Sequence, residues 1–195
     1  MMKKNISVFC GSHFGKNAAF EAAAVELGRK IARQDRTLLY GGSGWGYMGA
    51  VKKACKDAGG YVVGILPTCF SEDAVESSKP IDELVMVSSL PERKAMMIER
   101  SDAFIAIPGG IGTLDELTEV MTANQLGFVA KPMGLLNVDG FYDHLVAQLE
   151  LMNREGLLGA AALHSLVVAS TVDEMLTALD DYQPMTDPNI QTKMR

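Results

Sequence analysis

Cysteine is scarce in this 195-residue chain: Cys10, Cys55 and Cys69 are widely spaced and form no CxxC pair. An odd, scattered set argues against a disulfide framework and against a structural zinc site. Long apolar runs are missing too, and none approaches the roughly 20 residues that a membrane-spanning helix requires. The apolar stretch in MMKKNISVFCGS is only a few residues long, too short for a secretory leader, so the expectation is a cytoplasmic protein. Basic residues are outnumbered, 18 Lys and Arg against 24 Asp and Glu, for a net charge of −6. The broad basic face of a general nucleic-acid binder is therefore not expected. A single small anion remains admissible, because local dipoles and a few cations can outweigh net charge. There are no internal repeats and no low-complexity segments. The expectation is one domain over residues 1–182, followed by a polar, proline-bearing tail at 183–195.

What the chain does have is alternation. Short apolar runs at Ile6–Cys10, Thr37–Tyr40, Tyr61–Leu66, Leu84–Val87, Ala103–Ile107, Met133–Leu136 and Ser165–Ala169 read as strands. Helical periodicity fills the intervals, at about 17–34, from the glycines after the second run to about 58, and at about 90–101, 114–126, 142–155 and 172–179. Residues 68–80, polar and turn-rich, read as a loop. Continuous apolar strands alternating with helices predict an α/β fold of three layers, a mainly parallel sheet covered by helices on both faces. Ligands of such sheets sit beyond the carboxyl ends of the strands. Three glycine clusters fall there, at Gly11, at Gly41–Gly49 and at Gly109–Gly112.

Neither of the first two clusters is a familiar phosphate loop. In CGSHFGK, Gly11 and Gly15 enclose three residues and Asn17 follows Lys16, so the P-loop spacing fails. The second cluster contains GxGxxGA at Gly44–Ala50, but after the second strand, and Pro67 stands where a ribose-binding acid should end the next one. What survives is backbone able to approach a ligand, opening a helix whose amides can hold phosphate. The third cluster, IPGGIGTLDE, carries Asp115 and Glu116 at a helix start. Thr113 to Glu116 reads T-x-x-E, a capping box worth about 1 kcal/mol, and that structural role stands beside any chemical one. Asp115 and Glu116 point in different directions from one helix, so they would perform different tasks.

In SSLPERKAMM, Arg93 and Lys94 enter the first turns of a helix capped by Ser89 with Pro91 fixing its entry. Cations there oppose the helix dipole by ~0.3–1 kcal/mol each. Either they are solvated and helped by Glu92, or a bound anion offsets the repulsion. Two basic residues, a carboxylate and glycine amides at one sheet edge suit a phosphorylated sugar.

With VFCGS, YGGSGWGYMG, ERKAMM, SDAFIAIPGGIGTLDEL and KPMGLLNVDGFY in place, nearly the whole chain resembles the LOG ("Lonely Guy") family. Its members are cytokinin riboside 5′-monophosphate phosphoribohydrolases, often labelled lysine decarboxylases. Pro108–Glu116 matches the family signature PGGxGTxxE, and Arg93–Lys94 matches the R-K pair before it. The resemblance implies a Rossmann-like fold, a homodimer with the site near its interface, no organic cofactor and no metal. It implies hydrolysis of the N-glycosidic bond of N6-modified adenosine monophosphates, and of AMP, to free base and ribose 5-phosphate. By match, Arg93 and Glu116 are the catalytic pair. Lys94, Gly109, Gly110, Ile111, Gly112, Thr113, Leu114, Asp115 and Thr122 contact the nucleotide, and Gly11, Ser12, Gly41, Gly42 and Ser43 line its phosphate or ribose side. The chain departs from the pattern at Ser43, Trp45, Leu90 and Asp115, where many members have Glu. A non-catalytic nucleotide or cofactor carrier is the alternative, since the same loops could bind without hydrolysis.

Overall fold

The computed structural model describes residues 4–185. Most of the expected tail at 183–195 lies outside the described residues. Seven strands form one sheet: β1 Asn5–Phe9, β2 Thr37–Tyr40, β3 Tyr61–Pro67, β4 Glu83–Val87, β5 Ala103–Ala106, β6 Met133–Leu136 and β7 Leu166–Ala169. Their order is β4-β3-β2-β1-β5-β6-β7, and every pairing is parallel. Eight helices connect them: α1 Ala18–Arg33, α2 Gly46–Asp57, α3 Glu72–Ser78, α4 Leu90–Arg100, α5 Ile111–Gln125, α6 Asp143–Arg154, α7 Ala160–His164 and α8 Val172–Asp181.

Period-two alternation along the buried strands sends successive side chains to opposite faces. Ile6, Val8, Leu38, Tyr40 and Ile105 pack with Leu27 and Ile31 of α1, Val51 of α2 and Met175 of α8. Phe9, Leu39, Val63, Phe104 and Ala106 face the other way, against Met97 of α4, Leu117 and Val120 of α5, and Leu149 of α6. Each fully buried aliphatic side chain contributes about 1.5–3 kcal/mol, so two such layers fix the sheet between its helices. The arrangement is the expected three-layer, Rossmann-like α/β fold.

Strand order reverses between β1 and β5. One half of the sheet winds outward through β2, β3 and β4, the other through β6 and β7. At such a switch point the loops leaving the two central strands diverge and open a crevice at the carboxyl edge. Gly11 follows β1 there and Gly109 follows β5.

Two expectations change. Residues 68–80 are not all loop, because α3 occupies Glu72–Ser78. Ser71 caps it by accepting the Ala74 N–H at 3.3 Å, and Glu72 and Asp73 complement its N-terminal dipole. Its buried residues are Ala74 and Ser78, so it lacks the apolar stripe by which a helix is recognised. Nor does Thr113 cap α5. That helix starts at Ile111 with Gly110 as N-cap, and Thr113 lies buried in its first turn.

Candidate active site

Glu116 is the sixth residue of α5, in its second turn, and is buried, 8% exposed. Its Oε1 accepts a hydrogen bond from Arg93 Nη2 at 2.7 Å, so the carboxylate faces a neighbouring helix and not its own amides. The capping-box role is thereby excluded for Glu116; a true capping box occurs at Thr171 and Glu174, where α8 begins. Burial pushes the Glu116 carboxyl up to about 7, against the opposing pull of the Arg93 guanidinium. The nearby Asp115 charge pushes it in the same upward direction.

Asp115 occupies a different environment. It is exposed, and Lys94 Nζ reaches both its oxygens at 2.9 and 3.0 Å while also pairing with Glu119. Hydrogen bonding to Glu119 leads the upward shift of the Lys94 ammonium, with Asp115 adding to it.

The two cations on α4 are thus compensated from across the helix interface. Glu92 does not assist them: its Oε2 accepts the Ser88 N–H at 2.7 Å and the Ser88 hydroxyl at 2.5 Å. Ser89 caps α4 as expected, accepting the Glu92 N–H at 3.3 Å. Glu119 was not foreseen, although its place one turn after Asp115 gave a readable signal. Arg93 Nε is buried without a hydrogen-bond partner among the described residues. An unpaired charged donor in a crevice is a place where a ligand oxygen would gain a strong interaction.

Glycine turns surround this pair. A methyl group on Gly41 would stand 3.4 Å from Arg93 Nη1, so the turn after β2 lies against the guanidinium. Gly42 follows with φ +82°, which non-glycine residues rarely adopt. Across the switch point, a Cβ on Gly109 would come within 2.1 Å of Thr113 Oγ1 and 2.9 Å of the Gly11 nitrogen. Two loops and the first turn of α5 meet there at backbone contact. The first helical bond of α5 is from the Leu114 N–H to the Gly110 carbonyl, leaving the preceding amides without helical partners. Around Gly110 and Gly112 there is open space, and Ile111 is 81% exposed. A cavity of about 260 Å³ adjoins this turn, lined by Gly11, Ser12, Gly109 and Gly110 and walled by Phe14 and Tyr47. Ser12 Oγ and His13 Nδ1 are hydrogen-bonded at 3.0 Å on its rim.

Not every expected residue joins this cluster. The GxGxxGA glycines pack on protein: the first loop covers the start of α2, and the Tyr47 N–H donates to the Gly11 carbonyl at 3.0 Å. The α2 N-terminus is therefore closed to phosphate by its own neighbour. Leu114 is half-buried against the core layer that holds Leu117 and Val120, whereas Thr122 is exposed, about 10 Å along α5 from Asp115. Ser43 is buried, and its hydroxyl accepts the Trp45 N–H at 3.3 Å. A larger hollow of about 740 Å³ lies between α1 and α2, but its four lysines are all engaged. Lys53 pairs with Asp57, Lys56 with Asp82 and Lys79 with Glu76, while Lys52 binds carbonyls. Among the described residues no cluster of three or more His, Cys, Asp or Glu is placed to hold a metal, and no helix is long and apolar enough to cross a membrane.

The fold and this crevice define a doubly wound α/β protein with a buried carboxylate–guanidinium pair beside an open helix N-terminus. Comparison with known proteins then narrows the class. A family described as "possible lysine decarboxylase" matches residues 48–179. The cytokinin riboside 5′-monophosphate phosphoribohydrolase LOG of Oryza sativa subsp. japonica is 42% identical, over 93% of this chain and 74% of its own. An Arabidopsis thaliana protein of the same name is 40% identical, over 98% of this chain and 88% of its own. The chain belongs to this LOG family. Among solved structures, a molybdenum cofactor binding protein from Rippkaea orientalis matches with a TM-score of 0.70 at 25% identity, over 93% of this chain and 98% of that one. A molybdenum cofactor carrier protein from Chlamydomonas reinhardtii matches with 0.66 at 26% identity, over 92% and 97%.

Proposed function

We propose that this protein is a phosphoribohydrolase that cleaves the N-glycosidic bond of adenosine 5′-monophosphates, N6-modified or plain, giving free base and ribose 5-phosphate. The observation that carries the reading is the buried Arg93–Glu116 pair, set between glycine turns at the switch point of a chain about 40% identical to enzymes named for that reaction.

Cleavage of a ribosyl–base bond passes through an oxocarbenium-like state, with positive charge growing on the sugar and the bonding electrons leaving with the base. Glu116, ionised, stabilises the sugar and receives a proton from the water whose oxygen bonds to the anomeric carbon; the departing base takes up a proton from solvent, and Glu116 returns its own to solvent. A carboxyl held near 7 suits that exchange at neutral pH. The part of the Arg93 guanidinium is electrostatic: it orients Glu116 and offers its free Nε–H to a substrate oxygen. The open amides at the start of α5 receive the 5′-phosphate. Binding energy from that remote group places the reacting carbon against Glu116.

The outer face of α5 supports a homodimer whose interface adjoins the site. Thr122 belongs there, too far along the helix to serve the nucleotide of its own crevice. The three cysteines are free, which suits a reducing cytoplasm. Lys52 is committed to three carbonyls and Lys94 to two carboxylates, so neither is placed as a pyridoxal phosphate lysine.

The test is chromatographic. Incubated with AMP or with isopentenyladenosine monophosphate, the protein releases free base, and both Arg93→Ala and Glu116→Gln lose about two orders of magnitude or more while remaining folded. Tight, stoichiometric nucleotide binding without base release would establish a carrier instead.

A further inference from the structure

Lys52 is a buried lysine, 7% exposed, with no carboxylate paired to it among the described residues. Its ammonium donates three hydrogen bonds, to the carbonyls of Ser77 at 2.9 Å, Ser78 at 3.1 Å and Lys79 at 3.2 Å. These are the last carbonyls of α3 and its C-cap, groups that a helix end leaves without internal partners. The cation thus saturates its donors on the negative end of a helix, and the helix end in turn supplies the counter-charge. One side chain of α2 holds a segment that buries little of its own.

The same helix end also holds the second glycine turn. Ser77 Oγ accepts the Gly44 N–H at 3.1 Å, and a Cβ on Gly44 would stand only 1.8 Å from the Ser77 carbonyl oxygen. Three residues back, Gly41 lies against the Arg93 guanidinium. A continuous set of contacts therefore runs from Lys52 through the end of α3 and the Gly41–Gly44 turn to Arg93.

We propose that Lys52 is a positioning residue for the hydrolytic site. By fastening the end of α3 to α2 and to the Gly41–Gly44 turn, it holds α3 as a fixed support behind the turn that borders Arg93. The inference rests on the hydrolase reading above. Glu116 and Arg93 are carried by α5 and α4 and hold each other without help from α3. Loss of the tether therefore falls on substrate binding and leaves the chemical step nearly intact.

The experiment compares wild type with Lys52→Met, Lys52→Arg and Ser77→Ala, by steady-state base release from AMP and by amide hydrogen exchange. In Lys52→Met, KM rises about tenfold with kcat within about twofold, and amides 75–79 exchange faster while the central strands do not. Lys52→Arg, which keeps the donors, recovers most of the loss, and Ser77→Ala shows a smaller change in the same direction. Unchanged KM and unchanged exchange in α3 would overturn the proposal, as would faster exchange throughout the sheet with kcat and KM disturbed together. Should Lys52→Met not fold, Ser77→Ala decides, and a wild-type KM there overturns it. Absence of base release by wild type would defeat the hydrolase reading; exchange in α3 would still decide the tether.

Discussion

Glu116 concentrates the consequences of the fold in one ionisation. Its carboxyl is raised to about 7, so it is largely protonated at pH 5 and ionised at pH 9. If the ionised form acts, kcat/KM for base release climbs with pH below about 7 and levels above it, and a pH–rate profile of wild type checks this. A profile flat from pH 5 to 9 would remove Glu116 from the proton inventory. Stability changes in the opposite sense. Between the unperturbed carboxyl value of 4.5 and about 7 the folded protein binds the proton that the unfolded chain has released. Stability derived from this group is therefore lost as pH rises through that window. Glu116→Gln lacks the term, so its unfolding free energy gains on wild type by on the order of 1–3 kcal/mol from pH 5 to pH 8. Denaturant unfolding at the two pH values measures it, and equal differences would mean that Glu116 ionises as freely as in water.

Elements decide where such residues meet, and at this scale the sequence was partly transparent. Continuous apolar runs located all seven strands of the described residues and helical periodicity six of their eight α-helices, because apolar runs and long amphipathic stripes are written locally. The short α3 and α7 were missed because each rests on distant partners: α3 on Lys52 and Gly44, α7 on contacts with α5 and α6. The capping box was misread for the same reason. T-x-x-E is a local pattern, but a guanidinium 23 residues away in sequence captures its Glu. Arg93 and Lys94 looked uncompensated for want of the same long-range partners. The tight start of α5 makes a sharp prediction. Gly109→Ala inserts a methyl that clashes with Thr113 and with the backbone of Gly11, displacing the turn that carries the free amides. Overpacking of this kind costs about 1–3 kcal/mol, and base release falls at least tenfold through KM as the phosphate loses its donors. Gly112→Ala, with open space around it, serves as the contrast and leaves stability within about 0.5–1 kcal/mol. Thermal unfolding with kinetics on both variants checks the pair.

For the whole molecule the open question is what covers the outside of α5. Along that face Ile111, Thr118, Thr122 and Leu126 are exposed, with Phe128 just beyond the helix, 64% exposed. Asp115 and the partly exposed Glu119 are the charges on it, and Lys94 holds both. Both carboxylates are bound to one lysine and the rest of the face is apolar or hydroxylic and ends in an exposed phenylalanine, a composition that supports the proposed homodimer. An isologous dimer would place the same face of each chain together, bringing Thr122 of one protomer toward the crevice of the other. Light scattering on the purified protein then gives twice the chain mass. Leu126→Glu places an unpaired carboxylate in that contact, a substitution that the isolated protomer tolerates because the site is 45% exposed. It yields the monomer mass with unchanged circular dichroism, and base release falls in step with the fraction of monomer. A monomeric wild type with full activity would confine the site to one chain and leave Thr122 without a part in it. A dimer unaffected by Leu126→Glu would put the interface on another face.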